Sequence, residues 1–278
     1  MCSQLRKTRL RKKNSFFLLF LVVSFPSFLM AESDQEKQLF RFMNSERIRE
    51  NRMPLVWDDE LYEVALAHSR DMARTGKAAH KGSDGEEPHQ RIQRAHIYAS
   101  KSGENIARDV NIISAHTLLM QSVDHRENIL EPGYSHAAVG IVKQKQFFYI
   151  TQLFIHRIAD HPLEDARQTL IRQYNFYRQD KKLPPLLYSP SYSDAAQAQV
   201  ETQKRFDSLS PMVGMSSVAR NSGGGMLVSV YTATSLLEIP VQVRHDLQRN
   251  MRTVGIGFKR VQGSICAGGC YLIVLVLG

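Results

Sequence analysis

Apolar positions recur with a helical period early in the folded part of the chain and with a strand-like period further on. Leu61, Val64, Ala65, His68 and Met72 fall at i, i+3, i+4, i+7 and i+11, a spacing that lines up one face of a helix. Asp58 or Asp59 stands where an N-cap belongs, and Gly76 where such a helix ends. Gln35 to Glu50 is helix-like as well, and a third helix is predicted over about Ile112 to Val123. Two apolar β runs follow, Ala137 to Val142 and Phe147 to Ile155, separated by the charged turn KQKQ. Helices first and strands last predict a mixed α/β unit (α+β), with helices packed on a short antiparallel sheet. Between the helices lies SGENIAR, residues 102–108, which reads as a carboxylate, Glu104, in a glycine turn.

The pattern then repeats. Leu39 to Ala67 lies ungapped over Leu170 to Ala198 at a constant offset of 131 residues, sharing Asn44/Asn175, Arg47/Arg178, Pro54/Pro185 and Ala65/Ala196 among others. Val139-Gly140-Ile141 is similar to Val254-Gly255-Ile256, and the apolar strand FFYITQLFI to CYLIVLVLG. Two tandem units of one fold are expected, residues 34–158 and 163–278, joined near Asp160-His161-Pro162.

The first 31 residues form a separate object. Six Lys/Arg precede an apolar run from Phe16 to Met30 and a terminal Ala31. A basic head, about 15 apolar residues and a small residue describe a signal peptide better than a membrane span, which needs about 20. An exported protein, secreted or held in the periplasm or cell envelope, is expected; an uncleaved segment would tether it to the membrane.

Removal of that segment leaves 30 of the 36 basic residues against 27 acidic ones, a net charge of +3. The basic balance therefore belongs mostly to the leader. Nucleic acid is not an expected partner, because short runs such as Lys143 to Lys145 make no basic stripe. Cys2 leaves with the leader, so Cys266 and Cys270 in ICAGGCY remain at an expected hairpin tip with glycines at its turn. An exported chain permits a disulfide there, and two unpaired thiols are the other reading.

Nine of the ten histidines precede the second unit. His68 falls on the apolar helix face, as a hydrogen-bonded core histidine would. His89, His96 and His116 lie in polar, surface-like stretches. His80, in AAHKGSDGEEP, and His125, in SVDHRENIL, lie where no periodic element buries them, and scaffolded loops are where function concentrates. Asn105, Asp124 and Arg126 suit structural hydrogen bonds, with Arg126 able to fork onto a carboxylate.

Taken together, MPLVWDDELYEVALAHSRDMARTG, His80, DGEEPHQR, SGENIA, SVDHRENIL, the VGI strand and YITQLF resemble the bacterial branch of the CAP superfamily, the cysteine-rich secretory, antigen 5 and pathogenesis-related 1 (SCP) domains. The resemblance implies a three-layer α/β/α sandwich, export, and a cleft lined by His80, Glu104 and His125. The family's second glutamate is absent, with Gln121 and Ser122 in its region, and Leu119 stands where bacterial relatives often place a tryptophan.

Two neutral imidazoles and a carboxylate are a donor set that Zn²⁺ accepts, with His80 and His125 as the metal ligands. The same three groups are the candidates for any catalysis, as proton carriers. No Ser or Cys nucleophile stands in a recognisable motif beside them. The expected function is a module that binds a metal ion or small ligand, with a small ligand or an envelope or extracellular protein as partner; for the second unit the readings are a cover over the first, a partner-binding surface or a dimerisation surface. The alternatives are a metal-dependent hydrolase of peptide or cell-envelope material, and a lipid or sterol carrier. Sliding the second unit under the first sets SGGGML, residues 222–227, beneath SGENIA, so that Gly224 faces Glu104, Pro211 faces His80, and the second unit is a degenerate copy for interaction.

Overall fold

The helix α1, Asp34–Arg49, opens on Asp34 and Glu36 and closes on Arg47 and Arg49, charges that suit the two ends of a helix dipole. Its inner face buries Leu39 and Met43 and, beside them, the whole Arg47 side chain. Arg47 donates to the carbonyls of Met53 (2.8 Å), Ile129 (2.8 Å) and Glu131 (2.9 Å), so its charge is spent on backbone acceptors that would otherwise be orphaned. The coordinates are a computed structural model, which describes residues 34–202, 215–217, 226–263 and 266–278. Residues 1–31, expected to be a leader, lie outside them, as do Pro211 and Gly224.

The chain continues through β1 (Val56–Trp57), α2 (Asp59–Thr75), α3 (Pro88–Arg94), β2 (Ala99–Asp109), α4 (Ile112–Gln121), α5 (Val123–Leu130), β3 (His136–Gln144) and β4 (Phe147–Arg157). The α2 boundaries are the expected ones: the Asp58 side chain accepts from the Leu61 N–H, and Gly76 closes the helix at φ 71°. The strands form a sheet of order β1-β3-β4-β2, antiparallel except for the parallel β1–β3 pair. Alternate residues serve its two faces. Val139, Ile150 and Phe154 pack with Leu39, Met43, Leu119 and Ile129, while Ala138, Leu153 and Ile155 pack with Leu61, Ala65 and Ile92. Helices on both faces make the three-layer α/β/α arrangement, and they explain why β4 is buried at every position from Phe148 to Ile155.

The remaining elements are α6 (Leu163–Asp180), β5 (Leu187–Tyr188), α7 (Pro190–Thr202), β6 (Met215–Ser217), β7 (Leu227–Ala233), α8 (Val241–Leu247), β8 (Thr253–Gly263) and β9 (Cys266–Leu277). They build a second sheet, β5-β8-β9-β7-β6, again covered on both faces. Particular contacts recur between the halves. Arg178 is buried like Arg47 and donates to the carbonyls of Pro184, Leu247 and Arg249; Asn175 holds both the N–H and the carbonyl of Leu186, as Asn44 holds those of Leu55.

Those contacts fix a register that differs from the sequence overlay. Gly140 lies against the backbone of Ala65 and Leu66, and Gly257 against that of Ala196 and Gln197. The counterpart of Val139-Gly140-Ile141 is therefore Ile256-Gly257-Phe258, two residues beyond the expected match. Gly140 pairs with Thr151 and Gly257 with Val274; two residues further on, Leu153 pairs with Glu104 and Val276 with Val228. Val228, and not Gly224, thus fills the place of Glu104. Arg47 and Arg178 likewise bring Ile129 and Leu247 into correspondence, which sets Val243 in the place of His125.

Three local expectations change as well. SGENIAR is the middle of strand β2 and not a turn; Gly103 is required because a Cβ there would come within 2.2 Å of the Tyr134 hydroxyl. The third predicted helix divides at Ser122 into α4 and α5, so His125 is helical. The glycines of ICAGGCY lie in strand β9 and not at a turn, with Gly263 opposite Cys266. Cys270 is disulfide-bonded, and the Cys266 side chain lies outside the described residues.

The closeness of α2 to β3 is testable. A Cβ at Gly140 would meet the Ala65 carbonyl carbon and the Leu66 nitrogen at 2.4 Å, and neither backbone atom can rotate away. Gly140→Ala should therefore cost about 1–3 kcal/mol, read as a lower urea midpoint at unchanged slope.

Candidate functional site

Glu104 is the centre of a small buried cluster on β2. Its side chain is 2% exposed, yet it carries a carboxylate, and both oxygens are engaged. Arg91 Nη2 donates to Oε2 at 2.6 Å, and His80 Nδ1 lies 2.8 Å from Oε1. Arg91, itself 5% exposed, reaches the site because α3 starts at Pro88 with a capping box between Glu87 and Gln90, which turns only Arg91 and Ile92 inward. Its other terminal nitrogen, Nη1, donates to the carbonyls of His80 and Glu86, both at 2.9 Å. One guanidinium therefore fixes the carboxylate and the loop that carries the histidine.

The loop is held at further points. His68, buried on α2 as its periodicity predicts, uses Nε2 to donate to the Ala79 carbonyl at 2.9 Å; burial lowers its pKa, which keeps the ring neutral. Ser83 donates to Asp71 through its N–H (2.8 Å) and its hydroxyl (2.6 Å), and these bonds pull the Asp71 pKa down to about 2. The His80 backbone is thus anchored on both sides, while its imidazole remains 50% exposed.

The hydrogen bond to Glu104 raises the His80 pKa above its ordinary value, since a buried carboxylate favours the imidazolium. In the neutral ring the same bond places the proton on Nδ1 and leaves Nε2 with a free lone pair. Among the described residues no side chain or backbone group bonds to that nitrogen.

His125 is brought near by the next residue of β2. The Asn105 amide donates to the His125 carbonyl (3.0 Å) and to Gln152 Oε1 (3.1 Å), and accepts from Asn128 (3.0 Å). Successive strand residues point to opposite faces, so β2 holds the His80 ring from one face and the His125 backbone from the other. The His125 ring contacts Ser122 Oγ through Nδ1 at 2.9 Å, and no bond joins it to Glu104 or His80 among the described residues. Arg126 pairs with exposed Glu50 (2.8 Å). His116, expected at the surface, is buried between α1 and α4 beside the Phe42 ring, and burial lowers its pKa.

This geometry bears on zinc. Among the described residues no group of three or more His, Cys, Asp or Glu is gathered for a metal ion. Glu104 is occupied on both oxygens, one by a guanidinium that would repel a cation, so neither oxygen is open to a metal ion. Of the expected donors the His80 and His125 imidazoles remain, fewer than the three protein ligands of an open zinc site.

Arg91 was not singled out from sequence, although DGEEPHQR carries its signal: a proline-started helix with an arginine one turn in. Removing the guanidinium strands a buried carboxylate, so Arg91→Met should cost about 3–5 kcal/mol, and Glu104→Gln in the same chain should restore part of the loss; chemical denaturation of the four chains gives the coupling. The pH sign is also determined. A raised folded pKa means that the stability from the His80–Glu104 pair is complete below the unfolded histidine value, about 6.5, and disappears as pH climbs through the folded one. NMR titration of the His80 ring should show its midpoint falling toward about 6.5 in Glu104→Gln. For Asp71 the depressed pKa places the loss at the acid end, between about pH 4 and its folded value of about 2.

Comparison with known proteins identifies the unit that carries this cluster. Residues 40–154 match the family model described as CAP, the cysteine-rich secretory protein family. Two curated relatives from Bacillus subtilis (strain 168) align over 127 residues each. The membrane protein YlbC is 31% identical over 45% of this chain and 36% of its own length, and YkwD is 32% identical over 44% and 48%. The match spans less than half the length of either relative. A solved extracellular protein containing an SCP domain, from Bacillus anthracis str. Ames, is 31% identical with a TM-score of 0.41, covering 44% of this chain and 40% of that one. Over residues 40–154 the chain is a CAP domain, a member of the cysteine-rich secretory protein family.

Proposed function

We propose that this is an exported CAP-domain protein whose first half binds a small polar ligand or a metal ion at His80 and His125, with Glu104 and Arg91 as the frame that presents His80. The observation that carries the reading is the half-exposed imidazole fixed at its inner nitrogen by a buried, arginine-locked carboxylate. Burying a charged pair costs several kcal/mol before its Coulombic return, and the corresponding strand position in the second half is a valine. Scaffolding alone does not require the glutamate, and a binding site does.

His80 can accept a hydrogen bond or a metal ion at neutral Nε2, or donate one when protonated. His125, held through its carbonyl by Asn105, supplies the second imidazole. A bound Zn²⁺ would lower the pKa of its water toward about 7. The chain's own part is to hold the His80 tautomer, to exclude water from the carboxylate behind it, and to keep Arg91 from drifting. Export rests on the basic head and apolar run of residues 1–31. The second half, with Val228 and Val243 in the places of Glu104 and His125, serves interaction and not ligand chemistry.

Zinc titration by calorimetry on the full chain, with His80→Ala and His125→Ala beside it, tests the metal form of the reading. Binding of the wild type and its loss in both variants supports it. Binding should also weaken as pH falls through the raised His80 pKa, because the proton competes for the ring. Absence of binding in all three chains removes zinc and leaves the small-ligand form, which a fragment screen read by His80 and His125 NMR shifts then tests.

A further inference from the structure

The motif ICAGGCY has no part in the ligand site, yet its glycines bring the backbones of the two halves close together. Gly268 lies so near the β2 entrance that a Cβ would stand 1.8 Å from the Ala99 carbonyl oxygen, and Gly269, at φ 113°, packs on Tyr98. Only glycine allows a backbone to come this near another, and at Gly269 only glycine adopts the angle without strain. Around this contact Gln262 donates to the Ile97 carbonyl at 2.7 Å, Arg260 lies over the Tyr98 ring at 4.5 Å, and the Tyr271 hydroxyl donates to the Ala159 carbonyl at 2.9 Å. Tyr98 packs against the second half's core, next to Ile158, whose N–H donates to the Tyr98 carbonyl at 2.9 Å.

Residues 97–100 have a particular place in the first half. They run from the end of α3, which carries Arg91, into β2, which carries Glu104. Ile97 and Ala99 are fully buried against Leu61 and Ile92, and the β2–β4 ladder is irregular between Ala99 and Lys101. A bulged strand entrance is the weak point of an edge strand, and β2 is the edge of its sheet.

From this we infer that the partner of the second half is the first half of the same chain: the β8–β9 hairpin is a built-in brace that clamps residues 97–100 and so holds Arg91 and Glu104 in alignment behind His80. Gln262, Gly268 and Gly269 are then positioning residues, acting on the site only through β2. The inference builds on the reading of the second half as an interaction module, and it survives or fails separately from ligand binding because its readout is local backbone opening.

Hydrogen exchange read by mass spectrometry on the full chain tests it, with Gly268→Val and Gln262→Ala. Gly268→Val forces the hairpin off Ala99, and Gln262→Ala removes one bond to Ile97. Exchange across 97–105 should rise about tenfold in the first and about fivefold in the second, while helix α1 keeps its protection. Unchanged exchange at 97–105 in both variants, with faster exchange confined to β8 and β9, would overturn the brace. If Gly268→Val opens the whole chain, Gln262→Ala decides alone by the same criterion.

Discussion

A carboxylate that is almost wholly out of water must be answered by cations, and in this protein the answer organises a whole edge of the fold. Glu104 requires Arg91; Arg91, buried to reach it, requires backbone acceptors, and takes them from His80 and Glu86. The loop is thereby drawn over the strand, and its histidine lands on the second carboxylate oxygen. Each group is there because leaving the previous one unpaired would cost about 3–5 kcal/mol. The imidazole is where this chain of obligations reaches solvent.

The two halves show how little of a fold depends on such a cluster. Both use a buried arginine to tie helix to loop and an asparagine to grip the strand that follows, and both press a glycine strand onto a helix backbone. Those contacts satisfy backbone groups and close packing, which any unit of this shape must do. The second half answers the Asn105–Asn128 contact with a hydroxyl–carboxylate bond between Ser229 and Asp246, and it places Val228 where the first half places Glu104. A shared framework thus supports a polar edge in one unit and an apolar one in the other.

Much of this was legible along the chain, and the misreadings have physical causes. The α2 stripe, its Asp58 cap and its Gly76 stop are local, and periodicity reads them directly. His68 follows from the same stripe. SGENIAR looked like a turn because glycine usually marks one, whereas Gly103 is there to clear the Tyr134 hydroxyl, a contact 31 residues away. His116 looked exposed because its neighbours are polar, yet it faces α1. Arg91 passed as one charge among many, since nothing in a sequence says which arginine will meet a buried acid.

The sequence by itself determined helix α2 with both its ends, the two strands that close the first unit, the family of that unit, and the candidate trio of His80, Glu104 and His125, because these rest on local periodicity and on motifs kept in order. Only the tertiary structure decided how the trio is joined. It bonds His80 directly to Glu104 while Arg91 holds the other carboxylate oxygen, leaves the His125 ring with Ser122, and sets Val228 opposite Val276 where the overlay of the two units chose Gly224. Hydrogen bonds and strand register depend on which backbones lie side by side, and that is a property of the closed fold and not of spacing along the chain.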